Sequence, residues 1–187
     1  PTRRSSDLIV HGKDLAESLC EDRIMGPFAR SILRLMESRK SMEEEVSFRA
    51  EELAPNLSAL AGPILAARLI SRAGGLSRLA KMPSSRVQVM GAEKSLFKHL
   101  DGRAPSPKHG IIFRHPAVMG APRKLRGKVA RALAGKLALA ARLDYYGASP
   151  SPDLAASLER RLNDIKRRGG NRKESIRWAG ERNEQQG

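Results

Sequence analysis

Only one segment of this chain has apolar residues that alternate as in a strand, namely Val87-Gln88-Val89-Met90. A strand must pair its backbone N–H and C=O groups with a neighbour, and the sequence contains no second convincing strand candidate. Most other apolar residues recur at helical spacing, or lie in Ala- and Leu-rich runs that end at glycine or proline. These patterns favour a chain built from helices.

A long helix is predicted from Pro27 to Leu53, because its apolar residues recur mostly at steps of three, four and seven. They form a narrow seam that is typical of a coiled-coil arm: Phe28, Ile32, Leu35, Met36, Met42, Val46 and Leu53. Shorter helices are predicted over 13–19, 63–73, 76–81 and 91–100, and a basic helix over 124–143. Residues 101–122 are predicted to form an ordered loop around the apolar Ile111-Ile112-Phe113.

These segments predict four parts of the chain. Residues 1–26 are an N-terminal segment of uncertain structure, and residues 27–54 are the helical arm, a partial coiled coil. Residues 55–168 form a compact helical domain that begins at Pro55, where proline disfavours continuation of the arm helix. Residues 169–187 are a polar, basic tail that is predicted to be disordered or partly helical.

Positive charge is concentrated in one third of the chain. The formal net charge is +15, and residues 86–147 contribute ten of these charges, since they hold 13 Lys/Arg and 3 Asp/Glu. Residues 1–54 are slightly acidic by comparison. Charge that is clustered in this way indicates a polyanionic partner, and nucleic acid is the commonest one.

The basic helix has two chemically different faces. At 100° per residue, one sector of about 60° contains Lys124, Lys128, Arg131, Gly135 and Arg142, and the opposite side contains Val129, Leu133, Leu137, Ala140 and Leu143. Small residues such as Ala132, Ala134 and Ala138 flank the charged stripe and would let a phosphate backbone approach. A merely solvated face is the alternative, but no acidic residue occurs from Gly102 to Leu143.

Other functional classes find little support in the sequence. The aromatic content of 4% disfavours domains that stack bases on aromatic side chains. His109 and His115 lack partners at zinc spacing, so neither a metal nor another cofactor is predicted, and no nucleophile–base pair predicts a catalytic residue. Glu93 is expected to cap a helix and Asp144 to form an ion pair. No apolar run reaches the roughly 20 residues of a membrane span, so a soluble, cytoplasmic protein is expected, or a nucleolar one in a eukaryote.

Five ordered motifs resemble one known family. They are Ala54-Pro55-Asn56-Leu57-Ser58-Ala59-Leu60-Ala61-Gly62, Ala73-Gly74-Gly75-Leu76, Leu79-Ala80-Lys81-Met82-Pro83, Gly91-Ala92-Glu93-Lys94 and Leu139-Ala140-Ala141-Arg142-Leu143-Asp144. Over residues 27–168 the chain is similar to the Nop-domain family, and within it to the archaeal box C/D guide-RNA scaffold that partners fibrillarin. Its relatives are eukaryotic nucleolar scaffold proteins and a spliceosomal factor.

The resemblance implies an all-α RNA–protein binding domain without catalytic activity. Such a domain would bind a box C/D-type guide RNA at a kink-turn that a small ribosomal-protein-like partner already occupies. The residues that the resemblance and the charge pattern together predict at this interface are Gly91, Ala92, Glu93, Lys94, Lys98, Lys108, His115, Arg123, Lys124, Arg126, Lys128, Arg131, Lys136 and Arg142.

Full-length family members also carry a fibrillarin-binding N-terminal domain and a dimerising coiled coil of two long helices. Only 54 residues precede Pro55 here, so fibrillarin is implied as a partner of the full-length family rather than of this stretch. The seam of the arm predicts either packing against the compact domain or a homodimer. Two other functions remain open, a general basic RNA- or DNA-binding protein and a nucleic-acid-processing enzyme.

Overall fold

The computed structural model describes residues 5–147 and 149–184, with side chains for 11–147 and 149–168. All regular elements in this part of the chain are helical, which confirms the predicted all-α fold. The α-helices are α1 (Ser5–Ser18), α2 (Gly26–Leu53), α3 (Pro55–Ala61), α4 (Pro63–Ala73), α5 (Leu76–Lys81), α6 (Ser84–Val89), α7 (Glu93–Leu100), α8 (Pro116–Met119), α9 (Arg126–Tyr145) and α10 (Pro152–Glu184), and a 3₁₀ turn spans Ile111–Arg114.

The chain divides into two compact units, residues 1–46 and residues 47–187. In the first unit a tight turn joins α1 to α2. The carboxylate of Asp22 accepts hydrogen bonds from the backbone N–H groups of Ile24 and Met25 at 2.8 and 2.7 Å. The guanidinium of Arg30 donates to the carbonyl of Cys20 at 2.6 Å and so closes the turn.

One stripe of α2 remains solvent-exposed. Phe28, Leu35 and Met42 lie seven residues apart and are 61%, 69% and 62% exposed. Ile32 and Met36, which were predicted to lie in the same seam, are only partly exposed. The described residues therefore leave a narrow apolar row along the arm uncovered.

The second unit is organised around α9, which packs against α3, α5, α6 and α10. Val129, Leu133 and Leu137 are at most 2% exposed and confirm the predicted apolar face. Ala134 and Ala138 are equally buried, so they do not flank an open charged stripe as predicted. Small side chains on this side of α9 instead let neighbouring helices approach closely, because they occupy little volume at a helix–helix contact.

The extended conformation that the alternation at 87–90 indicated is wrong. Residues 87–89 end helix α6 and Met90 follows as its C-cap, and Val87 and Met90, three positions apart, are both buried. Burial of two residues at that spacing on one face stabilises a helical turn rather than an extended chain. The backbone nevertheless pairs just beyond the helix, since Gly110 N donates to Gln88 O at 2.9 Å and Ile111 N donates to Met90 O at 2.8 Å.

Asp144 does not form the predicted ion pair in the described structure but caps helix α3. Pro55 occupies the first position of α3, and Ala54 before it has no side chain that could accept a hydrogen bond. The carboxylate of Asp144 accepts from the backbone N–H groups of Asn56 and Leu57 at 2.9 and 2.8 Å. It thus satisfies the N–H groups that a local N-cap residue normally satisfies, and it ties the end of α9 to the start of α3.

The segment 101–122 is ordered around its apolar anchor, as predicted, since Ile112 is fully buried. It contains the 3₁₀ turn and the short helix α8. At the other end of the domain α10 continues to Glu184, so residues 169–184 extend the helix beyond the predicted boundary of the compact domain.

Candidate nucleic-acid interface

The predicted Gly91-Ala92-Glu93-Lys94 motif forms the turn between α6 and α7. Gly91 has a φ of +84°, and a Cβ atom there would overlap the side chain of Ile111, so this position requires glycine. The carboxylate of Glu93 accepts from Gly91 N at 2.7 Å and lies 3.6 Å from the guanidinium of Arg72. Glu93 therefore fixes the turn and anchors it to α4.

The electrostatics of this turn favour an ionised Glu93. Hydrogen bonds from its own backbone N–H and from Gly91, with a smaller contribution from Arg72, lower the pKa of Glu93. The start of a helix also favours negative charge. The predicted capping role of Glu93 fits this geometry, and Glu93 positions the motif rather than presenting a reactive group.

Helix α7 projects from the domain, since none of its residues is buried. Lys94 and Lys98 are exposed and lie one turn apart. Two large apolar side chains are also exposed, Phe97 at 66% and Leu100 at 71%. Large exposed apolar side chains are typical of a protein-binding surface, and the lysines beside them favour an anion.

A groove of about 870 Å³ lies between α7, α6 and α9, and we call it the α7 groove. Its apolar lining includes Met82, Met90 and Phe97. Four cationic side chains also line it: Arg72, Arg86, Lys108 and Arg131. Glu93 is the carboxylate in this lining. The α7 groove therefore combines an apolar surface with a net positive charge.

A second groove of about 950 Å³ lies between α9 and α10, and we call it the α9–α10 groove. Six cationic side chains line it: Lys128, Arg131, Lys136, Arg160, Arg161 and Arg168. Asp164 is the only carboxylate among the described residues of the lining, and its oxygen accepts from Arg167 at 3.2 Å. Arg131 lines both grooves, so the cationic face of α9 connects them.

Other predicted interface residues lie elsewhere. Arg123 and Lys124 are exposed in the turn before α9, so the helical wheel does not apply to Lys124. Arg126 lies 5.4 Å above the ring centroid of Phe113 and donates to a loop carbonyl at 3.0 Å. Arg142 is exposed, but its Nε donates to the carbonyl of Ala80 at 3.1 Å and links α9 to α5. Arg126 and Arg142 therefore already have structural contacts.

His115 has a structural contact at each ring nitrogen. Its Nδ1 accepts from Ala117 N at 3.2 Å, and its Nε2 lies 3.0 Å from the carbonyl of Leu60, to which a neutral Nε2–H donates. Burial lowers the pKa of His115, which favours this neutral form. His115 thus caps α8 and holds it against α3.

Sequence reasoning missed several cationic residues that line the two grooves: Arg72, Arg86, Arg160, Arg161 and Arg168. Arg160, Arg161 and Arg168 in α10 were hidden because that segment also contains acidic residues and has little net charge. Their spacing was a usable signal, since Arg161, Ile165 and Arg168 recur at steps of four and three on one side of a helix. Arg72 lies outside the basic region 86–147, and Arg86 is its first residue but was not singled out as an interface residue.

Among the residues whose placement the structure describes, no group of three His, Cys, Asp or Glu side chains could hold a metal ion. None of the described helices combines the length and the apolar character needed to span a membrane.

Comparison with known proteins gives consistent matches. The chain is similar to a NOP5 family protein of Methanocaldococcus jannaschii, at 50% identity over 141 residues that cover 75% of this chain and 34% of that protein. It is also similar to nucleolar protein 56 of Dictyostelium discoideum, at 40% identity over 137 residues that cover 73% of this chain and 25% of that protein. The chain therefore spans about a third or less of the length of these curated relatives.

A solved structure and a family model match over a larger share of the chain. One chain of the crystal structure of a fibrillarin/Nop5p complex aligns with a TM-score of 0.65 and 35% identity, over 86% of this chain and 62% of that chain. A family model described as "Nop: snoRNA binding domain, fibrillarin" matches residues 8–166. Since that match covers most of the sequence and the fold agrees, the chain belongs to the Nop family.

Proposed function

We propose that this chain is a noncatalytic RNA-binding scaffold of a box C/D-type guide ribonucleoprotein. It binds kink-turn RNA together with the kink-turn-binding protein and supports 2′-O-methylation by fibrillarin. The observation that carries the proposal is the α7 groove, where the Gly91–Lys94 turn, the exposed face of α7 and the cations of α6 and α9 meet. Membership of the Nop family and the relatives' names support the same function.

The exposed residues Lys94, Phe97, Lys98 and Leu100, which we call the α7 surface, have the chemistry to recognise two partners together. Lys94 and Lys98, with the cations of the α7 groove, suit phosphates, because charge-assisted contacts and shape dominate recognition of A-form RNA. Phe97 and Leu100 suit an apolar protein surface, because burying their exposed area stabilises a complex. A surface with both features binds weakly to either partner alone and tightly to their complex.

The side chains of the described residues at the proposed interface also fit a scaffold role. They are mostly lysines and arginines, and Glu93 is held ionised by backbone hydrogen bonds, so it is a weak proton acceptor at neutral pH. These groups can bind and orient RNA. Methyl transfer then belongs to fibrillarin, and the expected location is nucleolar in a eukaryote and cytoplasmic otherwise.

A gel-shift experiment with a kink-turn RNA separates this function from general coating of RNA or DNA. We expect weak binding to the RNA alone and binding at least about tenfold tighter to the RNA that already carries its kink-turn-binding protein, which corresponds to about 1.4 kcal/mol of coupling. If the chain binds random RNA as tightly as kink-turn RNA, and the kink-turn-binding protein does not change the affinity, the scaffold function is refuted and general coating is favoured.

Two variants assign the contributions within the α7 surface. Phe97→Ser with Leu100→Ser should remove the partner-dependent gain and leave binding to naked RNA unchanged, because neither residue supports the core. Lys94→Gln with Lys98→Gln should weaken binding in both settings. If replacing Phe97 and Leu100 leaves the partner-dependent gain in affinity unchanged, α7 contacts RNA and not the protein partner.

We also propose that the arm pairs with a second copy of the chain through Phe28, Leu35 and Met42. Their seven-residue spacing is that of a coiled-coil seam, and exposed apolar stripes favour association. Sedimentation at increasing concentration should show a dimer that Leu35→Glu abolishes. A monomer at all concentrations would contradict this proposal.

A further inference from the structure

We infer that the α9–α10 groove is a separate track for one RNA phosphodiester strand, and that α10 supplies half of it. This inference deepens the proposed function and rests on RNA being the partner. It adds Arg160, Arg161 and Arg168 to the interface, on a helix whose low net charge concealed them.

The charge balance of the groove points to a polyanion. Among the described lining residues, six are cations and one, Asp164, is a carboxylate, which is hydrogen-bonded to Arg167. Within the described part of the chain, none of the six makes an ion pair or a side-chain hydrogen bond. Like charges held this close repel each other, so a ligand with regularly spaced negative charges would relieve the repulsion.

The shape of the groove limits what can enter it. The axes of two packed helices lie about 8–10 Å apart, so the groove that runs over their contact suits a single extended backbone rather than a duplex. The floor includes Ala132 and Gly135, with Leu139 and Ile165 beside them. A Cβ atom built on Gly135 would meet no atom within 4 Å, so the floor is open to a ligand at that point.

The lining residues also predict how the strand is recognised. Among the side chains that the structure describes, no aromatic one lines the groove, so these residues offer bases no stacking surface. Four of the six cations are arginines, whose planar guanidinium can donate two parallel hydrogen bonds to one phosphate. Recognition should therefore depend on phosphates and not on base sequence. Arg131 makes this track continuous with the α7 groove, so a strand that leaves the α7 surface can follow it.

The test uses the full chain and a fluorescent single-stranded uridine 20-mer, with fluorescence anisotropy measured over a series of salt concentrations. Arg160→Gln/Arg161→Gln/Arg168→Gln should reduce the magnitude of the slope of log K against log salt by about 2, because each phosphate contact to a single strand contributes about 0.7. Gly135→Glu should weaken binding at least about tenfold, since it places a negative charge on the floor, an effect comparable to losing one charge-assisted hydrogen bond.

Matched controls separate charge in the groove from net charge and from folding. Arg34→Gln/Arg68→Gln/Arg114→Gln removes the same charge from exposed positions outside the groove and should leave the slope nearly unchanged. Gly135→Ala keeps the floor neutral and should bind like the wild type with a higher Tm, because alanine favours helix more than glycine does.

Three outcomes would overturn the inference. The first is an equal loss of slope in the two triple variants, and the second is normal uridine binding by Gly135→Glu. The third is a loss of binding by Gly135→Glu that is seen with the kink-turn protein in the absence of RNA and not with the uridine strand. The groove would then hold an acidic segment of that protein. Binding to the preformed kink-turn complex is measured in parallel, so failure of the groove and failure of the proposed scaffold function remain distinguishable.

Discussion

Replacing Asp144 tests whether a carboxylate at the end of α9 holds the start of α3 in place. One oxygen accepts from the backbone N–H and the side-chain amide of Asn56 at 2.9 and 2.8 Å, and the other accepts from Leu57 N at 2.8 Å. Asn56 is only 3% exposed, and its own side-chain oxygen accepts from Ser151 N at 2.7 Å. The start of α3 is therefore tied both to the end of α9 and to the segment that follows α9.

The expected cost follows from those three hydrogen bonds. A hydrogen bond to a charged group contributes about 1.5–3 kcal/mol, and loss of an N-cap costs about 0.5–2 kcal/mol. These contributions overlap, and water reaches the half-buried carboxylate of Asp144. We therefore expect Asp144→Ala to lower the free energy of unfolding by about 3 kcal/mol. Asp144→Asn should cost about 2 kcal/mol, because its amide keeps one acceptor and turns a donor toward a backbone N–H.

Thermal and urea unfolding followed by circular dichroism measure these changes. For a domain of this size, about 3 kcal/mol corresponds to a fall in Tm of roughly 10 °C. Asp101→Asn removes the same charge from an exposed position at the end of α7 and should change stability by less than about 0.5 kcal/mol. If Asp144→Asn is as stable as Asp101→Asn, the carboxylate does not cap α3 and this reasoning is wrong.

Three other predictions concern His115, Gly110 and the cationic face of α9. Burial lowers the pKa of His115 below 6.5, so the stability that depends on its neutral form is complete above pH 6.5 and is lost as the pH falls. The wild-type Tm should therefore fall more between pH 7 and pH 5 than that of His115→Gln, and equal pH dependence would contradict this. Gly110→Ala should cost at least about 1–3 kcal/mol in urea unfolding, because its Cβ would overlap the carbonyl of Met90, and a near-native midpoint would disprove the close packing. Lys128→Glu with Arg131→Glu should weaken RNA binding and reduce its salt dependence, at a cost on the order of 1 kcal/mol per lost contact, whereas an unchanged slope would mean that this face is merely solvated.

Much of the local structure could be predicted because it depends on neighbouring residues. The apolar face of α9 repeats with the helical period, and burial of Leu133 and Leu137 follows that period directly. The capping role of Glu93 also depends on a helix start two residues from Gly91. The error at 87–90 arose because four residues fit either period, and packing of Val87 against the core decided in favour of helix.

The candidate interface was less predictable, because charge counts do not show which side chains meet. Residues 86–147 carry most of the net charge, yet Arg126 and His115 use their polar atoms within the fold. The cations of α10 were overlooked, although they face α9 across a groove.

The amino-acid sequence by itself determined the helical periods, the breaks at Pro and Gly, the concentration of positive charge and the motifs of the Nop family, because each of these is a property of nearby residues. Only the tertiary structure decided that Asp144 caps a helix 88 positions away and that α9 and α10 bring six cations together. The physical reason is that hydrogen bonding and electrostatics act over distances in space, and positions along the chain do not reveal those distances until the helices have packed.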